Sequence, residues 1–75
     1  MDRQSAKVLQ YMKNNQTITT LEAYDDLGVS RLSARIWDLR NKYGYDIGTK
    51  SKKVRDRDGV ITYVNAYYLE ASDGR

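Results

Sequence analysis

The sequence predicts an α+β fold, a three-helix bundle closed by a C-terminal β-hairpin, and three observations point to it. Apolar residues recur at helical spacing as far as Tyr43 and give way to a β-branched and aromatic run at Val60–Leu69. Capping signals stand at the head of each helical stretch: Asp2, the T-x-x-E pattern from Thr19 to Glu22, and Ser30. Gly28 and Gly44 close the second and third stretches, where a glycine can take the left-handed conformation that ends a helix.

The elements follow in order. Asp2 is placed to cap a first helix over residues 3–13, with Val8, Leu9 and Met12 on one face and Asn14 and Asn15 as its exit. Thr17, Ile18 and Thr19 are β-prone and long enough for one small pairing with the later hairpin. A second helix over 20–27 takes an apolar edge from Leu21, Tyr24 and Leu27, and Ala23 is small enough for the next helix to cross closely. Asp25 and Asp26 read as solvated surface. The third helix, 31–43, aligns Leu32, Ile36, Leu39 and Tyr43 in one narrow stripe, and Ser30 is its expected N-cap. The hairpin spans 45–70: an arm from Tyr45 to Arg55, a turn at Asp56-Arg57-Asp58-Gly59, and a return strand. Ile61, Tyr63, Tyr67 and Leu69 share the strand face expected to cover the helices. Tyr43, Tyr63 and Tyr67 are expected in the core, Tyr45 and Tyr68 nearer the surface, and Ala71–Arg75 as a frayed tail.

A chain of 75 residues has room for one domain, and one that buries only about 60% of its unfolded surface. With no Cys and no His, disulfides, thiol chemistry and the commonest zinc sites are excluded, so the core must hold by packing alone. No metal or cofactor is expected. Apolar runs are short and no signal-peptide pattern opens the chain, which fits a soluble, cytoplasmic protein without membrane contact. The net charge is +3, unevenly spread. Between Arg31 and Arg57 nine basic residues face three acids, a local surplus of six, so the other 48 residues carry a deficit of three. That asymmetry suits a polyanion-binding face with an acidic back. Neither a carboxylate pair suited to acid–base work nor a Gly-rich phosphate loop is evident, and no enzymatic activity is expected.

The junction LGVSRL at Leu27–Leu32, the R-I-x-x-L-R run at Arg35–Arg40 and the closing Y-x-L at Tyr67–Leu69 resemble a winged helix-turn-helix DNA-binding domain, of the small kind often encoded by phages and other mobile elements. The resemblance covers nearly the whole chain. It departs from the repressor-type motif in a turn shorter by about two residues when Leu32 is matched to the first buried position of the recognition helix.

The resemblance implies double-stranded DNA as partner, the third helix in the major groove and the hairpin, as a wing, on the backbone or in the neighbouring minor groove. On the helical wheel Arg31, Ala34, Asp38 and Asn41 project away from the apolar stripe toward base edges, with Arg35 and Lys42 on the flank. Ser30 and Ser33, at the helix start, are placed to hold a phosphate. Arg35 serves equally as a phosphate contact or an intraprotein ion pair, and Arg40 is open in the same way. Trp37 lies between the faces and is expected to pack against the hairpin or the first helix, with direct DNA contact as the lesser reading. Lys50, Lys52, Lys53, Arg55 and Arg57 form the basic arm and tip of the wing. Transcriptional regulation is the expected role, with self-association on DNA or a second regulatory protein as further partners. An excisionase-like architectural factor that bends DNA is the nearest rival. A protein-interaction module that does not read DNA is the rival of another class.

Overall fold

A computed structural model describes residues 1–70; the tail expected at Ala71–Arg75 lies outside the described residues. The elements run α1 (Arg3–Asn15), β1 (Ile18–Thr19), α2 (Thr20–Leu27), α3 (Leu32–Asn41), β2 (Ile47–Arg55) and β3 (Ile61–Leu69). The strands form one antiparallel sheet in the order β1-β3-β2.

Local chemistry sets the helix ends. Asp2 accepts the Ser5 N–H at the start of α1, and the helix persists to Asn15 before Gln16 turns out at φ 75°. At α2 the box is complete, the Thr19 hydroxyl accepting from Glu22 N–H while the Glu22 carboxylate accepts from Thr19 N–H. Gly28 closes α2 at φ 71°, with Gly28 N–H donated to Tyr24 O and Val29 N–H to Ala23 O. α3 starts differently from expectation. Arg31, not Ser30, occupies its N-cap, with no side-chain cap bond, because the chain between Gly28 and Leu32 is bent one residue further before the helix begins.

Burial follows the apolar stripes. Val8, Leu9 and Met12 of α1, Ala23 of α2, Leu32, Ile36 and Leu39 of α3, and Ile18, Val29 and Ile47 form one core. Tyr11, Leu27, Tyr43, Tyr45, Tyr67 and Leu69 pack around it. Burying these side chains contributes about 1.5–3 kcal/mol for each large aliphatic one. The structure departs from the sequence expectation at several apolar positions. Leu21 and Tyr24 are exposed, so α2 meets the core only through Ala23 and Leu27. Tyr45 joins the core periphery, whereas Ile61 and Tyr63 are exposed. The reason is reach: the helices cover the base of the sheet, where Ile18, Ile47, Tyr67 and Leu69 share a face, and the distal hairpin extends past them in a molecule measuring 39 × 25 × 19 Å.

The wing's turn is built by Asp56. Its carboxylate accepts from Asp58 N–H and Val60 N–H, its own N–H donates to Val60 O, and Gly59 takes φ 83°. At the base of the hairpin Tyr68 lies across Gly48, so that a Cβ there would run into the ring.

Candidate nucleic-acid interface

α3 is held by Leu32, Ile36 and Leu39, and what it shows to water is decided by its neighbours as well as by that stripe. On one flank it meets the beginning of α1. Arg35 there pairs with Asp38 at 3.4 Å and with Asp2 at 3.8 Å and reaches Gln4 at 3.5 Å. The two side chains are 28% and 17% exposed, so Arg35 resolves to an intraprotein ion pair. Asp38, expected to project outward, is turned to this flank as well, and Ala34 is half-buried. The wheel located the core stripe correctly but contained no information on which flank α1 would cover.

The other flank stays open. Ser33, Trp37 and Asn41 follow one another at intervals of four residues and are all exposed, with Ser30 and Arg31 at the head of the same helix. Trp37 is 59% exposed, which overturns its expected packing against hairpin or helix. The Asn41 amide N–H donates to Trp37 O, leaving its amide oxygen free to accept. The outward face is therefore Ser33, Trp37 and Asn41, with Arg31 exposed at the N-cap, rotated from the predicted Arg31, Ala34, Asp38 and Asn41. Trp37, for which direct DNA contact was the lesser expectation, stands midway between Ser33 and Asn41 on this open flank.

Arg40 joins this helix to the wing. Its Nε and Nη2 donate to Ile47 O at 3.0 and 2.7 Å, Nη2 also reaches the Thr49 hydroxyl at 3.4 Å, and the guanidinium lies 5.9 Å from the Tyr67 ring centre. A planar cation with a fork of donors suits a carbonyl at the root of a strand better than an ammonium would. On the hairpin Lys50, Lys53, Arg55 and, at the tip, Arg57 are exposed, Lys50 lying 5.2 Å from the Tyr68 ring centre. Lys42 is exposed at the C-cap of α3 beside Tyr43. Lys52 differs from the free arm cation expected: its ammonium binds Glu22 at 3.2 Å and Thr17 at 3.5 Å. Glu22 thus completes the α2 cap with one oxygen and anchors the wing with the other.

Three helices, a β1 strand that completes the sheet, and a basic hairpin fixed to the third helix define a winged-helix domain. The chain matches the family described as winged helix-turn-helix domain over residues 3–72 and belongs to that family, which supports DNA as its partner. Neither the curated proteins nor the solved structures gave a significant match. Among the described residues no helix is long and apolar enough to cross a membrane.

Proposed function

We propose that this chain is a sequence-specific double-stranded DNA-binding protein that regulates transcription. The supporting observation is the open flank of α3, where Ser33, Trp37 and Asn41 stand clear of the core, with Arg31 exposed at the N-cap, on a helix that Arg40 fastens to the basic hairpin. Arg31 and Asn41 supply hydrogen-bonding groups for base edges, and the Trp37 ring supplies an apolar surface for a thymine methyl. Lys50, Lys53, Arg55 and Arg57 meet phosphate oxygens, which fixes position without reading sequence.

Selection from a random duplex pool tests the reading, and a short preferred site is the expected outcome. A pool that returns no preferred site would remove the sequence-specific part. The indole gives a second readout: fluorescence of Trp37, the one tryptophan, should change on binding the selected duplex.

A further inference from the structure

The two long edges of the sheet are guarded unequally. β2 carries Lys50, Lys52, Lys53 and Arg55, charged side chains of the kind that keep an edge strand from pairing. β3 is covered on its other side by β1 at Ala66 and Tyr67, and the stretch from Val60 to Asn65 holds neither a charge nor a proline. Its register with β2 is unbroken from Ile47↔Leu69 to Arg55↔Ile61. The bonds Asp56 N–H to Val60 O and Glu70 N–H to Asp46 O fix the phase, so even-numbered residues of β3 turn their backbone groups to β2. Odd-numbered residues turn theirs to the opposite edge. Tyr67 meets Ile18 there, whereas on that edge Ile61 and Tyr63 have no strand beside them among the described residues. The two residues are 47% and 66% exposed, and across a groove of about 980 Å³ from Tyr63 stand Leu21 and Tyr24, exposed as well.

We propose that this edge pairs antiparallel with the same edge of a second copy of the chain, joining two sheets across a two-fold axis. The occupant must be an uncharged strand with free N–H and C=O groups in matching phase, and β3 of another copy meets both conditions. Two domains of net charge +3 then meet along the part of the hairpin that lacks positive charge, while the lysines stay on the outer strands. Bonded pairs must join odd-numbered residues, and the paired part of the incoming strand must stop before Ala66, whose edge β1 already holds. Placing Thr62 on the axis satisfies both. Ile61 then faces Tyr63 of the partner subunit, Tyr63 faces the partner's Ile61, and Asn65 faces the partner's Gly59. Each Ile–Tyr pair is a favourable cross-strand combination on one sheet face. The two α3 helices become related by the dyad, which calls for a two-fold symmetric target on DNA.

Sedimentation equilibrium of the full chain, without DNA, over about 10 μM to 1 mM tests this, a range suited to a small interface. A reversible monomer–dimer equilibrium is expected, with amide exchange at Ile61 and Tyr63 slowing as concentration rises. Thr62 is exposed, so charge placed there leaves the fold intact, as circular dichroism would verify. Thr62→Lys alone should be monomeric, as should Thr62→Glu alone, and an equimolar mixture of the two should dimerise again. A wild-type chain that stays monomeric throughout overturns the proposal, as does a Thr62→Lys chain that still dimerises or a mixture that does not. The absence of DNA keeps this outcome separate from that of the DNA reading.

Discussion

Single side chains carry effects that can be read one at a time. Ile36 is 1% exposed at the centre of the α3 stripe, and Ile36→Ala should lower stability by about 2–5 kcal/mol in denaturant unfolding, through lost transfer energy and the cavity left behind. Ser5 sits in the same interior with a hydroxyl that has no hydrogen-bond partner among the described residues, so Ser5→Ala should raise stability by about 1 kcal/mol by removing an uncompensated polar group. Tyr11 donates its phenol proton to Asp26 at 2.9 Å, and that bond, helped by burial and nearby carboxylates, pushes its ionisation up from 10.0 to about 12. Because the folded value lies above the unfolded one, the bond's contribution to stability is complete below about pH 10 and is lost as pH rises through about 12. Ultraviolet titration should show this late phenol step, and Asp26→Asn should move it back toward 10.0. None of these three effects could be assigned from sequence in advance except the first. Helical spacing marks Ile36 as central, but whether a serine hydroxyl is stranded, or which acid a tyrosine meets 15 residues away, depends on how the helices cross.

Between elements, two polar clamps orient the wing. Arg40 ties the end of α3 to the root of β2 through Ile47 O, and Glu22 ties the start of α2 to Lys52 on the arm. Arg40→Ala should cost about 1 kcal/mol, modest because the side chain remains largely in water, yet it should increase amide exchange at the hairpin base. A double-mutant cycle on Glu22 and Lys52 should return a coupling of about 0.2–1 kcal/mol, since both side chains are roughly a third exposed. Helix order, the capping box, the Asp56 turn and the switch from helical to strand period at Gly44 were legible because each rests on neighbours within a few residues. The true outward flank of α3 was not. Arg35 and Asp38 are turned aside by Asp2 and Gln4, which lie about 30 residues earlier and reach α3 only through tertiary packing. Ser30 failed as a cap for a related reason: several turn conformations join Gly28 to Leu32, and the sequence does not choose among them.

Across the whole molecule the proposed function divides labour, α3 reading bases and the wing holding phosphates. Arg31, Lys42, Lys50, Lys53, Arg55 and Arg57 are the exposed cations of α3 and the wing once Arg35, Arg40 and Lys52 are engaged within the protein. Four to six phosphate contacts among them give an expected slope of about −4 to −5 for log affinity against log salt, at roughly −0.9 for each contact. The most direct test measures binding of the selected duplex and a scrambled one over a range of salt, for the wild type, for Arg31→Ala with Trp37→Ala, and for Lys53→Ala with Arg55→Ala. The helix variant should lose affinity for the selected duplex by about 1–3 kcal/mol per lost base contact and far less for the scrambled one. The wing variant should weaken both duplexes by a similar factor and reduce the slope by about two, one for each contact removed. If instead the wing variant abolishes the preference for the selected duplex while the helix variant binds both duplexes as the wild type does, the wing is the reader and the account of α3 is wrong.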